Sequence, residues 1–577
     1  MAESSVDVLI VGAVRSSRLT TALWLANLGI DFRIIDKRSS TPRRGQADGL
    51  SPRTMEILEA FGIDHEVTRQ WEPATDEILW ERDGHGTLVR MDRVRNQPAV
   101  GVRWGHGTLQ QGVVEEIMKR KITGVCGVEV QYETQLLDLV FFNDQAGDHE
   151  GFAWTATVES SGRGSRDTIQ ARYIIGADGA RSAVRSAIGI TMEGNTGQAV
   201  WGVMDIAGSS DLPDDVDGAV DFVRREQDRT RMYVELNRTA AGWEGLGRDS
   251  ITPEAIIEKC RHIMRPYQLD VEDCVWWSAF TVSQRISSAL SVQDRGFLVG
   301  DAVHTHSPLC GAGMNTAVQD AYNLGWKLAG VIKGQLNPGI LQTYEAERRP
   351  VAEALLDADR TILDLFHAPR GPEAQALLEK APAVQLYLSG RATSYGETLL
   401  TCPAARRLGA FVPGECLPDV VVHNYTTGRP SNLHSWIKTD GSWALILWAG
   451  DLSSPLQMER VQCCAIQLET TREKLVARAS SILDAFLVHR SEWPRVELGD
   501  LPRLFVPAKG KGLDHGRIFV DQGSVYDTVG IDHGHGGIVV VRPDKYIGWT
   551  GGLEEVNELE ECLSRLFHQT GCTEIRN

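Results

Sequence analysis

The chain has 577 residues, which is too long for one core of ordinary size and predicts roughly two to four domains. Its composition, 42% hydrophobic and 24% charged, is that of a globular protein and excludes a largely disordered chain. The formal net charge of −18 argues against a nucleic acid or an anionic membrane surface as a partner.

The ten cysteines are scattered, with no CxxC pair and no Cys/His cluster at zinc spacing. We therefore expect no metal site, no thioredoxin-type redox pair and no disulfide framework. The first residues lack the basic and apolar regions of a signal peptide, and no apolar run reaches the roughly 18 residues of a membrane span. These features predict a soluble, cytoplasmic protein.

The first predicted elements are a strand, a helix and a strand. Residues 6–11 and 32–35 are short apolar runs, and residues 19–28 have the pattern of a helix that ends at Gly29. This order within about 30 residues is typical of the start of a doubly wound nucleotide-binding fold. Asp36 follows the second strand, where an acidic residue of such a fold accepts a ribose hydroxyl.

The middle of the chain predicts a second compact unit inserted into the first. A polar loop at 37–53 precedes a short helix at 55–62. From about residue 78 to 273 the pattern is mostly strand-like alternation, interrupted by helical stretches near 109–121 and 253–264.

Two later segments return the chain to the first domain. Residues 173–189 and 296–334 each predict a strand, a glycine turn and a helix, and a helical pattern runs from about 316 to 381. After about residue 395 the pattern is that of a separate α/β domain. Its predicted elements are strands at 444–450, 516–520 and 536–552 and helices at 469–488 and 554–568.

The turn after the first strand departs from the GxGxxG pattern of a dinucleotide site. In that pattern the first glycine makes the tight turn, the second admits the pyrophosphate and the third lets helix and strand pack. Gly12 fills the first place, but Val14 and Ser17 stand at the next two, with Arg15 and Arg18 nearby. Taken alone, the segment is equally compatible with an ordinary β-α-β start.

Two further glycine turns favour a nucleotide site. One is GADGARS at 176–182, and the other is GDA at 300–302, followed by GAGMN at 311–315. An aspartate at a strand end can accept ribose hydroxyls, and a helix N-terminus can face a phosphate or a ring carbonyl. Each turn alone has a structural explanation, but both in this order behind a β-α-β start are hard to obtain by chance.

These motifs resemble those of the class A flavoprotein aromatic hydroxylases, and among them the phenol 2-monooxygenase type. The resemblance covers nearly the whole chain, including VLIVGA at 8–13, RGQADGLSPRTMEIL at 44–58, YIIGADGARSAVR at 173–185 and GDAVHTHSPLCGAGMN at 300–315. The end of the chain resembles the family's thioredoxin-like domain, which lacks redox cysteines and serves mainly in subunit contact.

The resemblance implies an α/β fold with a Rossmann-like FAD-binding domain, an inserted β-sheet substrate domain and a C-terminal thioredoxin-like α/β domain. The implied ranges are 1–77, 100–190 and 285–394 for the first, 78–99 and 191–284 for the second, and 395–577 for the third. FAD as cofactor, NADPH as co-substrate, a small aromatic substrate and a homodimer are implied as well.

In this family NAD(P)H reduces the FAD, and the reduced flavin captures O2 as a C4a-hydroperoxide that transfers one oxygen to an electron-rich ring. The resemblance therefore implies a monooxygenase that hydroxylates phenolic or other aromatic substrates, natural-product intermediates included. Attack ortho to a phenolic hydroxyl is the usual outcome.

The resemblance assigns three catalytic candidates. Asp48 stands beside the substrate in such enzymes, Tyr233 hydrogen-bonds the phenol oxygen, and Arg225 lies near flavin and substrate. A tyrosine bonded to a phenolate suits a proton relay. Each residue also has a structural explanation: an Asp-Gly turn for Asp48, an inward-facing strand aromatic for Tyr233 and a solvated charge for Arg225.

The resemblance also assigns cofactor contacts. Asp36 would meet the adenosine ribose, Gln111 the ribityl–phosphate region and Asp301 the ribityl chain, while Arg44 and Gln46 would lie along the flavin. Backbone N–H groups at 311–315 would face the flavin pyrimidine carbonyl, where negative charge grows on reduction. The candidate set is Gly12, Asp36, Lys37, Arg44, Gln46, Gln111, Asp178, Asp301, Gly311, Gly313, Met314 and Asn315.

Three residues of the second motif have structural interpretations. His304 and His306 belong to the family's Gly-Asp segment, so we expect no metal there. Cys310 has no base partner nearby in sequence and is expected to line or pack the pocket. Ala312 replaces the family's usual glutamine, which predicts a tuned pocket because this segment contributes mainly through its backbone.

The opening turn is the main departure from the family. Relatives have a turn such as GAGPAGL, whereas this chain has GAVRSSRL and one additional residue. Three explanations remain open. FAD still binds, with the arginines meeting the pyrophosphate; or the protein is flavin-free and catalyses a cofactor-independent rearrangement or dehydration, or only binds; or residues 13–18 carry a frame or splice error. The first and third lead to the same activity, so a hydroxylase is favoured.

Overall fold

The structure is a computed structural model. It describes residues 3–12, 16–42, 47–82, 85, 87–95, 102–142, 151–161, 164–212, 220–225, 229–236, 251–309, 311–367, 379–402, 406–476, 482–492, 495–509, 512–514 and 516–567. The chain divides into two compact units, Met1–Leu23 with Asp31–Ala321 and Arg348–Arg391, and Trp24–Ile30 with Tyr322–Glu347 and Ala392–Asn577. The predicted domain boundaries stay predictions.

The described helices fall mostly where the sequence predicts them. They are α1 (Ser16–Asn27), α2 (Pro52–Ala60), α3 (Asp64–Thr68), α4 (Gln111–Cys126), α5 (Ala183–Ala187), α6 (Pro253–Met264), α7 (Gly313–Ile332), α8 (Thr343–His367), α9 (Ala381–Leu388), α10 (Pro455–Val476), α11 (Val525–Val529) and α12 (Val556–Leu566). Across the described ranges, no helix combines the length and apolarity that crossing a bilayer requires.

The first unit contains eighteen described strands. They are β1 (Glu3–Val11), β2 (Phe32–Ile35), β3 (Gly49–Leu50), β4 (Glu72–Pro73), β5 (Asp76–Arg82), β6 (Leu88–Arg95), β7 (Gly107–Thr108), β8 (Val130–Gln131), β9 (Thr134–Phe141), β10 (Trp154–Ser160), β11 (Ser165–Gly176), β12 (Met192–Ser210), β13 (Val220–Arg225), β14 (Arg229–Glu235), β15 (Leu269–Ser287), β16 (Ser291–Val292), β17 (Gly296–Leu298) and β18 (His304–Thr305).

The main sheet of the first unit has the order β16-β17-β11-β1-β2-β8, and all of these strands except β16 run parallel. Val11 pairs in register with Ile35 and Gly176, and Gly176 pairs with Leu298. The turns after β1, β2, β11 and β17 therefore lie side by side at the carboxyl edge, where doubly wound folds bind ligands.

A second sheet of this unit has the order β13-β14-β12-β15-β18 and is antiparallel throughout. Its buried face packs on α6 through an apolar core that includes Met204, Met232, Val234, Ile256 and Cys260. Outside that core, the strand register places Asp205 of β12 opposite Arg231 of β14.

The second unit is built on a seven-stranded mixed sheet with the order β20-β19-β25-β22-β21-β26-β27. The described strands of this unit are β19 (Val421–Asn424), β20 (Pro430–Asn432), β21 (Trp443–Gly450), β22 (Leu483–His489), β23 (Ala508–Lys509), β24 (Gly512–Leu513), β25 (Ile518–Val520), β26 (Gly537–Val541) and β27 (Ile547–Gly551). Of these, β23 and β24 pair only with each other, as a separate two-stranded sheet. A disulfide joins Cys402 to Cys562 of α12, a pair that the sequence does not indicate.

One predicted helical range is wrong, and a second is helical with an interruption. Among the described residues of the range 469–488, the end of α10 is followed by β22, a buried strand parallel to β21. A short apolar run does not distinguish a buried strand from a buried helix. The continuous pattern at 316–381 is broken after α7, where Gly334 adopts a φ of +67° and the chain turns before α8.

Candidate active site

Gly12 ends β1 in close contact with the turn after β11. A Cβ at position 12 would lie 2.5 Å from the carbonyl oxygen of Ala177, so a larger residue requires the backbone to move. The N–H of Ala177 donates to the carbonyl oxygen of Val11 at 2.7 Å. The packing of β1 against the turn after β11 is therefore enough to require a glycine at position 12, without any bound nucleotide.

Asp36, predicted to accept the adenosine ribose, is bound by an arginine of α1. Arg18 Nη1 donates to Asp36 Oδ2 and to the carbonyl oxygen of Gly12. Asp36 Oδ1 accepts from the backbone N–H of Arg38 at 2.9 Å. The Arg18 and Asp36 side chains are both 0% exposed, so this ion pair is sealed from solvent.

A cleft of about 400 Å³, which includes open solvent, adjoins this ion pair. Its lining includes Gly12, Lys37, Asp178 and Arg181. The Asp178 carboxylate also caps α5, because it accepts from Ser182 Oγ and from the N–H groups of the first residues of that helix. Asp178 thus lines the cleft and holds the turn after β11 in place.

The turn after β17 depends on Asp320 of α7. Asp320 Oδ2 accepts from the N–H of Gly300 at 3.2 Å and contacts His304 Nε2 at 3.0 Å, while Oδ1 accepts from Arg348 Nε at 2.8 Å. Burial favours the neutral acid, but the ion pair with Arg348 and the contact with His304 hold the pKa of Asp320 below its ordinary value. Asp301, half-buried, follows Gly300 in this turn.

The loop that carries Asp48 is held from two sides. Asn315 of α7 donates through Nδ2 to the carbonyl oxygens of Gly49 and Gly311, at 3.0 and 2.9 Å. From the other side the N–H groups of Leu109 and Gln111 donate to the carbonyl oxygens of Asp48 and Ala47. The Gln111 side chain, 5% exposed, donates to Glu115 Oε1 at 2.6 Å.

Asp48 and Tyr233 meet at the centre of the site. Tyr233 Oη donates to Asp48 Oδ1 at 3.2 Å, and Arg231 Nη1 lies 3.2 Å from the same oxygen. Arg231 also binds both carboxylate oxygens of Asp205, through Nε at 2.7 Å and Nη2 at 2.9 Å. Trp276 lies beneath the guanidinium, with its ring centroid 5.4 Å from the Arg231 Cζ.

Burial and charge oppose each other at Arg231. Removing the guanidinium from water disfavours its charged form, but Tyr233 and the Asp205 carboxylate outweigh this, so the pKa of Arg231 is raised above its ordinary value. Arg231 is therefore charged at neutral pH.

Several predicted residues have no described side chain. Arg44, Gln46 and Cys310 lie outside the described residues. Arg225 is the last residue of β13, and its backbone pairs with Arg229, but its side chain is outside the described part. Of the three catalytic candidates, the structure therefore brings two together, Asp48 and Tyr233.

Two residues of the central cluster are missing from the sequence prediction. Arg231 lies two positions before Tyr233 on one strand, and alternation places both on the same face, so its position did carry a signal. No sequence signal identifies Asp205, because only the register between β12 and β14 places it opposite Arg231.

The carboxyl edge of the main sheet carries features that suit FAD and one that does not. Ser16 and Ser17, in the first turn of α1, have buried hydroxyls without a hydrogen-bond partner within the described ranges, at a helix end that attracts phosphate. Gly311 has a φ of +56° and open space where a Cβ would stand, so its backbone is approachable. These features fit the cofactor, and the Arg18–Asp36 ion pair is the one that opposes it.

Comparisons with known proteins cover nearly the whole chain. Residues 5–359 match the FAD binding domain family, and residues 393–571 match the phenol hydroxylase C-terminal dimerisation domain. The chain is 59% identical over 528 residues to the FAD-dependent monooxygenase hkm7 of Aspergillus hancockii, covering 89% of this chain and 99% of that protein.

More distant relatives agree with this. The phenol 2-monooxygenase fsqG of Aspergillus fumigatus is 32% identical, with 97% of this chain and 96% of that protein covered. The crystal structure of the flavin-dependent monooxygenase PieE in complex with FAD and substrate matches with a TM-score of 0.73 at 20% identity, over 98% of this chain and 99% of that one. At that identity the match shows a shared fold.

Proposed function

The chain belongs to the FAD-dependent aromatic monooxygenases, and we propose that it hydroxylates a small phenolic substrate with NADPH as the electron donor. The family assignment favours this activity over a flavin-free rearrangement or a purely binding role. The observation that carries the proposal is the 3.2 Å hydrogen bond from Tyr233 to Asp48. Natural-product intermediates are the substrate class that we favour, since fungal monooxygenases are among the relatives.

Bound FAD supplies the electron transfer and the oxygen activation, and the chain positions the ring and moves its proton. Tyr233, half-buried, accepts the proton of the substrate hydroxyl at Oη and passes its own proton to Asp48 Oδ1. The resulting phenolate is the more electron-rich ring. Arg225 is proposed to contact flavin and substrate.

We also propose which residues hold the cofactor. The backbone at 311–315 faces the flavin ring, Gln111 and Asp301 contact the chain between ring and phosphates, and the turns after β1, β2 and β11 take the adenosine diphosphate. The proposed set is Gly12, Asp36, Lys37, Arg44, Gln46, Gln111, Asp178, Asp301, Gly311, Gly313, Met314 and Asn315. The matched dimerisation domain supports a homodimer, and we place the protein in the cytoplasm.

The test begins with a visible absorbance spectrum after incubation with FAD and gel filtration. Retained flavin, followed by phenol-dependent NADPH oxidation and a hydroxylated product, is the expected result. Tyr233→Phe should lower hydroxylation about 100-fold, because a general acid–base group contributes on that order, and should leave flavin content unchanged. Unchanged hydroxylation would remove the relay.

A matched control is Tyr267→Phe. Tyr267 is also half-buried in the first unit and packs edge-on against Trp80, with ring centroids 5.7 Å apart. Losing its hydroxyl should change neither flavin content nor turnover.

A further inference from the structure

Arg18 forms an ion pair with the carboxylate of Asp36, which is predicted to accept a hydrogen bond from the adenosine ribose. We propose that the Arg18–Asp36 ion pair closes the adenosine end of the FAD site, so that FAD binds only after Arg18 has left Asp36. This inference rests on the proposed function, because it concerns the same cofactor. It makes Arg18 a residue that sets the affinity and the rate of FAD binding.

The first support is burial. The Arg18 and Asp36 side chains are both 0% exposed, and neither is among the described residues that line the adjoining cleft. A ribose in that cleft meets Gly12, Lys37 and Asp178, but it does not reach the Asp36 carboxylate while the ion pair stands.

The second support is that the closed arrangement is incompletely bonded. Arg18 Nη1 contacts Asp36 and Gly12, but its Nε and Nη2 are buried without a partner in the described part of the chain. Buried donors without partners carry a desolvation penalty, so the side chain gains hydrogen bonds when it leaves. Asp36 is also held through Oδ1 by the N–H of Arg38, which keeps the carboxylate oriented when Arg18 moves.

The third support is the position of Arg18 in the turn. Because the turn has one additional residue, the last glycine of the pattern falls on Ser17 when counted from Gly12 and on Arg18 when counted back from Leu19. A glycine has no side chain to place between the ends of β1 and β2. The ion pair is therefore a property of the altered turn in this chain.

The test compares FAD binding by the full chain and by Arg18→Met, which keeps most of the side-chain volume and removes the charge. Binding is followed by flavin fluorescence, in equilibrium titrations and by stopped flow. We expect Arg18→Met to bind FAD about tenfold or more tightly, because an ion pair that must be broken no longer opposes binding. Arg38→Ala, which removes an exposed neighbouring charge, is the control and should bind as wild type does.

A double-mutant cycle of Arg18 and Asp36 tests whether the effect of Arg18 on FAD binding acts through Asp36. In the wild-type background Asp36→Asn both weakens the ion pair and removes the carboxylate that the ribose would use, so the two effects oppose each other and FAD affinity should change little. In the Arg18→Met background only the second effect remains, and Asp36→Asn should weaken binding several-fold. Riboflavin, which lacks the adenosine diphosphate, should bind wild type and Arg18→Met equally.

The rate of FAD binding by wild type also tests the proposal. Its association rate constant should be lower than that of Arg18→Met, because only the fraction of molecules in which Arg18 has left Asp36 binds FAD, and equal association rate constants would overturn the proposal. Thermal melts establish that the variants are folded, and Arg18→Gly is the second variant. Unchanged or weaker binding by folded Arg18 variants overturns this proposal alone, whereas a wild type and variants that all fail to take up FAD overturn the proposed function with it.

Discussion

Asn315 Oδ1 accepts a hydrogen bond of 2.7 Å from Thr54 Oγ1, which lies 261 positions earlier in the chain. The same oxygen accepts from the N–H of Ser51 at 3.0 Å, and the amide nitrogen donates to Gly49 and Gly311. One buried amide thus joins the start of α7 to the loop of Asp48. The position of a proposed catalytic carboxylate therefore depends on a residue that does not touch it.

Asn315→Ala should destabilise the first unit by roughly 2–4 kcal/mol, because it leaves several buried donors and acceptors without partners. Urea unfolding measures this directly. Asn195→Ala, at an exposed position of β12, should stay within about 0.5 kcal/mol of wild type. Equal stability of both variants would show that water replaces the lost amide without cost.

Arg231→Met should destabilise the protein by roughly 3–5 kcal/mol, because it leaves the buried Asp48 and Asp205 carboxylates without their shared cation. The free energy of unfolding at neutral pH is the measurement. Arg229→Met, at a half-exposed position of the same strand, is the control. Adding Asp205→Leu to Arg231→Met should recover part of the loss, and a further loss of stability would contradict the assignment.

Reduction of the Cys402–Cys562 disulfide should lower the melting temperature of the second unit. The bond closes a loop between cysteines 160 positions apart, for which chain entropy gives an upper estimate of about 5 kcal/mol. Cys402→Ser with Cys562→Ser should melt as the reduced wild type does, with or without dithiothreitol. Cys126→Ser, at an exposed free cysteine, is the control, and a melting temperature indifferent to reductant would contradict the bond.

The stability of the second unit should fall as the pH drops from 6.5 towards 4. His489 of β22 is fully buried, and both its ring nitrogens lack a hydrogen-bond partner across the described residues. Burial lowers the pKa of His489 from 6.5 to about 4, with Asp451 opposing the shift. The unfolded chain then binds a proton that the folded chain does not, so stability is present above pH 6.5 and is lost by about 3 kcal/mol towards pH 4.

Replacing His489 with Phe should flatten this part of the pH profile. The new ring keeps the packing against Tyr425, whose centroid lies 5.1 Å from that of the imidazole. Thermal melts between pH 4 and 7 measure the effect, and His65→Gln at an exposed position should leave the wild-type profile unchanged. An unaltered profile in His489→Phe would assign the acid sensitivity to other groups.

The local pattern predicts the β-α-β start, α4, α6 and α12 well, because each has a clear apolar period and an end signal. It fails at β22, since a buried parallel strand is apolar on both faces and loses the alternation that marks a strand. The glycine turns are likewise legible in the sequence, but the parallel register that sets them side by side is not.

In the candidate site, too, some residues are predictable from the sequence and others depend on strand register. Asp48 and Tyr233 come from the family resemblance, and the structure places them 3.2 Å apart. Asp205 and Arg231 join them through pairing between strands that the sequence does not specify. The contact of Arg18 with Asp36 is a property of one altered turn, and neither composition nor resemblance predicts where a buried arginine side chain goes.

The tight fit of Gly12 against Ala177 has a consequence for recognising degenerate members of such families. The first glycine of the GxGxxG pattern is required by packing against the neighbouring strand. It is therefore expected whether or not the protein binds a nucleotide. Substitution of that glycine is resisted by folding, whereas substitution of the second glycine, which admits the pyrophosphate, is resisted by the ligand. A motif search that weights all three glycines equally therefore counts a packing constraint as a sign of cofactor use, and the second glycine is the position that reports on the cofactor.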